Sequence, residues 1–538
     1  MLVRPTDAEH AERADRVASK IQSVVDAVNA IDDAQSVVTT GVIGWLTPDV
    51  VLEAIANRFE RTGHPRDLTF FFPVGTGDAI SIPGMDRVAR QGLMRRIIAG
   101  SFINPVNPQT GRRPYLMELI HRNEVEAYSW PIGATMHWLR EVSRRSPGYL
   151  TKIGLGTYID PRLGGGRFTG RAHADLVQLL EFRGEEYLFY PSWPLDVGVI
   201  RASAADADGN LAFDDHPLIS AAIAIALAVK ACGGTVIAQV DRVVERGSLP
   251  SHAMRVPGAL VDSVVEAPGE AIGTAVTDAS DYLGPTTTVS LSSLPRIQPG
   301  ASKIVARRVA QEVKKGEVSI FGFGAPSDAV LTMVEDGILT TENLWDYNFT
   351  TEHGPFGGVV MSDWQFSANL FARSLLDGAY QFDFINGGGA PFAALAFAEF
   401  DAGGRVNVTK FGSANPGAGG FIDIAHNARR LVFAGTLTTG GLDVVADGNL
   451  VIRSEGRARK LVREVEHITY DATRGVRERG QEVRLITERA VFELTNDGLL
   501  LTEVAPGIDI EGGVLNQVGF DVQVARKVVP MDRRLFRD

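Results

Sequence analysis

Short, wholly apolar runs alternate along this chain with stretches in which apolar residues recur every three or four positions, and glycines cluster at the junctions. The first such recurrence, Val17, Ile21, Val24, Val25 and Val28, follows a capping-box pair, Thr6 and Glu9, and predicts an opening helix. Val37 and Val38 predict a strand that ends at Gly41 and Gly44, with Thr47 placed to cap the next helix and Pro48 to open its first turn. Residues 68–72 predict another strand, 91–100 a helix with Arg95 and Arg96 outward, and 127–133 a strand feeding a turn and a helix around Met136. A long irregular loop carries Gly154, Gly156 and Gly164 to Gly166. Residues 195–200 predict a strand, 206–211 a tight turn, and the alanine-rich run 218–229 a buried helix too short to cross a bilayer.

Ser292, Ser293, Pro295 and Pro299 interrupt any period and place an expected boundary between residues 1–295 and 296–538. Beyond it the pattern predicts a helix over 301–313 and strands over 318–321, 382–385, 406–408, 483–486 and 499–504. Two features of the first half return in the same order. Gly44 followed by Pro48 is matched by Gly322 followed by Pro326, and the turn at 206–211 by one at 401–406. The expected fold class is therefore α/β: two similar open, mainly parallel-sheet domains fused in one chain, with a ligand cleft between them.

Composition narrows the function. The 538 residues are 45% hydrophobic and carry a formal net charge of -12, which argues against a general nucleic-acid or anionic-membrane binder. An anionic ligand must then be held by local groups. Cys232 is the single cysteine, so no disulfide framework or thiolate cluster is expected, and no secretory signal is read at the N-terminus; a cytoplasmic setting fits. The ten histidines show no metal-ligand spacing, so no metal centre is expected. Gly322-x-Gly324 lacks the third glycine of a dinucleotide loop, and neither a Walker sequence nor Gly-x-Ser-x-Gly is present.

What remains is a carboxylate among glycines: Thr350, Thr351, Glu352, His353, Gly354, Pro355, Phe356, Gly357, Gly358. A glutamate is ionised at neutral pH, with a reference pKa of about 4.3, so it can attack a carbonyl without an activating histidine. Its adduct is reactive enough to be resolved by a second carboxylate or by water. Glu352 is the candidate nucleophile.

Glu352-x-Gly354-x-x-Gly357-Gly358 does not stand alone. With Phe382, Asp383, Phe384 and Gly387 to Gly389, with Asn407, Val408, Thr409, Lys410, Phe411 and Gly412, and with Gly417-x-Gly419-Gly420-x-x-Asp423, the chain resembles the family I CoA-transferases. The likeness is to their single-chain branch of short-chain acyl-CoA enzymes and extends into the first half through residues 156–161, Ala205, Asp206, Gly209 and Asn210. It implies that Glu352 carries a glutamyl-CoA thioester in ping-pong exchange between an acyl-CoA and a free carboxylic acid. It also implies that the loop Gly322, Phe323, Gly324, Ala325 and Pro326 and the loop 417–420 lie along CoA, which enters as a substrate, with no prosthetic group. Gly387, Gly388, Gly389, Gly417 and Lys410 are further expected CoA contacts, and a backbone N–H of Gly419 or Gly420 is an expected oxyanion donor. A homo-oligomer, dimer or tetramer, is expected. An acyl-CoA hydrolase using the same glutamate, or a non-catalytic CoA-binding protein, are the alternatives. The chain departs from the family pattern at Pro131-Ile132-Gly133, where many relatives have Pro-Gln-Gly, and at residues 98–101, where relatives often carry Gly-Gly-His. Trp130, Ile132, Gly354 and Phe356 are the expected acyl-pocket residues, and the departures imply either an altered, more apolar pocket or weakened transferase chemistry.

Overall fold

The computed structural model describes residues 19–78, 80–102, 110–284 and 289–537. Its first half supplies β1 (Ser36–Thr39), α1 (Asp49–Thr62), β2 (Leu68–Phe72), β3 (Met94–Ala99), β4 (Glu126–Ser129), α2 (Ile132–Ser143), β5 (Val197–Asp206), α3 (Ala222–Ala231), β6 (Thr235–Val244) and β7 (Ser263–Glu266). These strands form a parallel core in the order β7-β6-β5-β1-β2-β3-β4. β1 and β2 are buried at every position, which is why they read as unbroken apolar runs rather than as alternation.

The second half supplies α4 (Ala301–Ala310), β8 (Val318–Phe321), α5 (Ala325–Glu335), β9 (Asn348–Thr350), α6 (Gly378–Asn386), β10 (Phe392–Ala396), α7 (Phe421–Asn427), β11 (Arg430–Ala434), β12 (Glu482–Ile486), β13 (Ala490–Thr495), β14 (Gly498–Val504) and β15 (Gln523–Pro530). Here β9-β8-β10-β11-β12 run parallel, and β13 and β14 continue the sheet antiparallel before β15 closes it. The two halves repeat one turn in atomic detail. Asp206 Oδ1 accepts from the N–H groups of Asp208 and Asn210, and Asp401 Oδ1 accepts from those of Gly403 and Arg405.

Two predicted elements are of the other type. Residues 91–100 are not a helix, because Met94–Ala99 is a strand flanked by parallel neighbours. Its arginines face partners on those neighbours: Arg95 donates to Thr69 Oγ1 at 3.0 Å, and Arg96 pairs with Glu126. Residues 382–385 are not a strand. They lie in α6, which starts where Asp377 Oδ1 accepts from the N–H groups of Ala379 and Tyr380, and which buries Ala379, Phe382 and Ile385 at helical spacing. α1 begins one residue later than expected: Pro48 is the cap position, and the Thr47 hydroxyl instead meets that of Thr76. Of the opening helix, Thr6, Glu9 and Val17 lie outside the described residues; Ile21 is not helical but pairs with Val264 in an isolated bridge, and the helix runs over Val24–Asn29, capped by Ser23. Among the described residues no helix is long and apolar enough to cross a membrane.

Candidate active site

Glu352 stands two residues beyond the carboxyl end of β9, on the edge where open parallel sheets take their ligands. The turn that presents it is fixed from below. Thr350 Oγ1 donates to Pro355 O at 2.7 Å, Thr351 Oγ1 to Ser367 O at 2.9 Å, and Gln381 of α6 to Thr351 O at 2.7 Å. Gly354 accepts from Leu376 N–H at 3.0 Å. The Glu352 side chain keeps 16% of its surface exposed, and the buried His353 places Nε2 3.3 Å from Glu352 Oε1. His353 Nδ1 has no hydrogen-bond partner among the described residues.

The loop before α7 closes over this carboxylate. Gly420 N–H donates to Glu352 Oε2 at 2.9 Å. A Cβ on Gly420 would stand 2.0 Å from that same oxygen, so the approach requires glycine. Gly419 is placed differently: its N–H donates to Gly100 O at 2.9 Å and its carbonyl accepts from Ile132 N–H at 3.0 Å. Of the two expected oxyanion donors, Gly420 is the one that points at the carboxylate. Gly417 pairs with Ser101 in a bridge and donates to Thr409 O at 3.2 Å. The loop therefore joins the halves as well as facing Glu352.

Asp423, three residues on, supplies a second carboxyl. It is fully buried, accepting from Gly133 N–H at 3.1 Å and from Asn386 Nδ2 at 3.3 Å. Burial, with the nearby Glu352 charge adding to it, raises its pKa to about 7 against the pull of those two donors. Gly133 is required here, since its Cβ would fall 2.1 Å from Asp423 Oδ1. In the sequence Asp423 only closes the Gly417-x-Gly419-Gly420-x-x-Asp423 pattern, with no role of its own. The available signal is an acid three residues after a paired glycine, in the first turn of a helix.

The other expected residues divide. Gly322 and Gly324 flank Phe323, 46% exposed, between β8 and α5, and Ala325 and Pro326 open α5 on the same sheet edge as Glu352. Phe323 packs beside Trp364 and Phe366. Phe356 is half-buried, its ring 5.1 Å from that of Phe384. Trp130 and Ile132 are buried: Trp130 belongs to an aromatic cluster with Phe71, Trp138, Tyr190 and Trp193, and Ile132 packs under Gly100. Gly387, Gly388 and Gly389 end α6 and lead into the amino end of β10, at the opposite edge of the sheet from Glu352. Lys410 lines a separate cleft of about 470 Å³ with His121, Asn123, Ser413 and Asn415.

Comparison with known proteins agrees with this geometry. The family description "Coenzyme A transferase" matches residues 21–267. The chain is 36% identical to the acetate CoA-transferase YdiF of Escherichia coli O157:H7, over 96% of this chain and 95% of that protein. It is 35% identical to the caffeate CoA-transferase of Acetobacterium woodii, over 97% and 98%. The crystal structure of the YdiF thioester complex with CoA superposes with a TM-score of 0.86 at 34% identity, covering 100% of this chain and 98% of that one. With two parallel-sheet domains and likeness along nearly its whole length, the chain belongs to the coenzyme A transferase family and is a CoA-transferase.

Proposed function

We propose that this protein moves coenzyme A from an acyl-CoA to a free carboxylic acid through a glutamyl-CoA thioester on Glu352, with residues 1–295 and 296–538 as its two domains. The observation that carries the reading is the Gly420 N–H held 2.9 Å from Glu352 Oε2 at the junction of the two halves.

A Glu352 carboxylate oxygen attacks the thioester carbonyl carbon, the C–S bond breaks, and CoA leaves as thiolate, giving a mixed anhydride. The thiolate then attacks the Glu352 carbonyl carbon and releases the donor acid, leaving Glu352 as its CoA thioester. An acceptor carboxylate reverses both steps. No proton is consumed in the cycle. In the steps on Glu352 the negative charge develops on its carbonyl oxygen, where the Gly420 N–H already lies. A donor placed in this way is commonly worth about 3 kcal/mol. Burial raises the Asp423 pKa to about 7, which favours its neutral form relative to an ordinary aspartate and so lessens the negative charge of a site that must accept a second carboxylate beside Glu352.

The test is intact mass after mixing with acyl-CoAs, then borohydride reduction and peptide mapping. An adduct of CoA mass, reduced at Glu352, is expected, and its discharge should require an added carboxylic acid. Discharge by water alone at the same rate would make the protein a hydrolase. No adduct with any thioester, despite CoA binding, would overturn the reading.

A further inference from the structure

A second cleft opens where a loop of the first half, 152–157, faces α7 and the helix Ala472–Arg479 of the second. Leu155 and Thr157 line it on one side, and Ile422, His426, Arg474 and Arg479 on the other. α7 and the helix Ala472–Arg479 end shortly before β11 and β12, so His426 and Arg479 stand at the amino ends of those parallel strands, away from the edge that presents Glu352. The cleft holds about 260 Å³, just below the about 300 Å³ at which ligand pockets usually begin, so it suits a small occupant.

The polar groups of this cleft are not satisfied by one another. Arg479 donates to a neutral partner, the Tyr470 hydroxyl, at 2.8 Å, and its Nε is buried with no hydrogen-bond partner among the described residues. Arg474 pairs with Glu478 through Nε at 2.7 Å, while its Nη1 reaches toward the first half, 3.6 Å from where a Cβ on Gly156 would stand. Asp471 is engaged at the helix start, accepting from Arg474 N–H at 2.8 Å, and Lys152 at the rim pairs with Glu185 at 2.7 Å. The half-buried His426 has no side-chain hydrogen bond among the described residues. Burial first, then Arg479 and Arg474, push it down to about 4 against the weaker opposing effect of Glu478, so it is neutral at pH 7. The two guanidinium groups therefore outweigh the acid at the centre of the cleft. Leu155, half-buried, and Ile422, buried, form an apolar wall beside them. Ile422 and His426, four residues apart, share one face of the helix that opens after Gly420.

We propose that this cleft is a second ligand site for a small organic anion, its charged group on Arg479 and Arg474 and its apolar body against Leu155 and Ile422, bridging the two halves behind α7. A buried guanidinium nitrogen left without a partner is costly, and the planar fork of an arginine matches a carboxylate or a phosphate. The neutral His426 imidazole can donate to the same group. The assignment is independent of the covalent role of Glu352.

Titration calorimetry with phenyl phosphate, with benzoate and with benzylamine, a cation of similar body, tests the assignment on wild type, Arg479→Met, Arg474→Met and Glu352→Gln. Phenyl phosphate has no carboxyl group to accept CoA, whereas benzoate has one and can also approach Glu352. Phenyl phosphate should bind wild type and Glu352→Gln alike, benzoate should keep an Arg479-dependent site in Glu352→Gln, and benzylamine should not bind. Affinity for both anions should fall about tenfold or more in each arginine variant. Arg474 is half-exposed, so its variant reads the site even where Arg479→Met fails to fold. The anion that binds tighter names the charged group, phosphate or carboxylate. No binding of either anion overturns the proposal, as does affinity unchanged in both arginine variants. Binding lost in Glu352→Gln alone would put the anion in the reaction site and overturn it too. The two readings fail separately. Arginine-dependent anion binding without a Glu352 adduct would sink the covalent mechanism and keep this site, whereas an adduct formed by a protein that binds neither anion would do the reverse.

Discussion

Gly420 shows how little room the chemistry leaves at the scale of one residue. Its N–H reaches Glu352 Oε2 only because nothing occupies the Cβ position. Gly420→Ala forces either the loop or the carboxylate to move. The rate of trapping the Glu352 adduct should fall about 10²- to 10³-fold, as when one oxyanion donor is lost. An alanine variant that trapped at the wild-type rate would remove Gly420 from the mechanism. Asp423 carries a prediction of a different kind. In the fold its carboxyl holds a proton up to about pH 7, while an unfolded aspartate loses it near about pH 3.9. The folded chain therefore binds more protons through that interval. This group's effect makes stability fall as pH rises from about 4 to 7 and level off above, by roughly 4 kcal/mol at most. Urea titrations from pH 5 to 8 should show a flatter dependence in Asp423→Asn than in wild type; parallel curves would show that Asp423 is already ionised at pH 5.

At the scale of elements, the sequence was legible where a strand is buried on both faces and bounded by glycine, as in β1, β2 and β8. It was ambiguous where a short apolar run carries charge. Met94 to Ala99 reads as a helix because two arginines can face outward on one, and nothing local says that Glu126 and Thr69 wait on adjacent strands. The α6 segment misleads in the opposite sense, since Phe382 to Ile385 looks like a strand unless Asp377 is seen as its cap. Glu352 and the glycine loop that covers it were legible as a motif. The burial that sets Asp423 was not, because it depends on Gly133, 290 residues away. Burial also sets the weight of the turn before β13. Arg489 is wholly buried, with Nε 2.5 Å from the equally buried Glu488 and two further contacts to Glu455 at 2.7 and 3.0 Å. Arg489→Met strands the buried carboxylate of Glu488, whereas Glu455 stays partly in solvent. Unfolding in urea should show a loss of about 3–5 kcal/mol, and a loss under 1 kcal/mol would mean that solvent reaches Glu488 as well.

The whole molecule places the Glu352 carboxylate at the edge of one sheet, and hydrogen bonds from the loop that covers it run to the half that holds the other. Gly419 joins Gly100 and Ile132, Phe102 N–H reaches Pro416 O at 2.7 Å, and Tyr158 N–H reaches Ile468 O at 2.7 Å. The segment between the sheets also grips both sides. Tyr282 meets the Trp45 ring edge-on at 5.3 Å and its hydroxyl donates to Gln365, while Thr274 binds Asp78. The contacts that join residues before 295 to residues after 296 are all non-covalent, and each half has its own sheet with a parallel core. Residues 1–295 and 296–538, co-expressed as separate chains, should therefore copurify as one complex and form the Glu352 adduct, at a rate within about tenfold of the intact chain. The Gly420 donor sits in the second half but is braced by Gly100 and Ile132 of the first, so the second half alone should trap little CoA even where it folds. Halves that fold and fail to associate would show that the interface depends on the link. An isolated second half that trapped CoA at the full rate would show that the first half is not needed to hold Gly420 against Glu352.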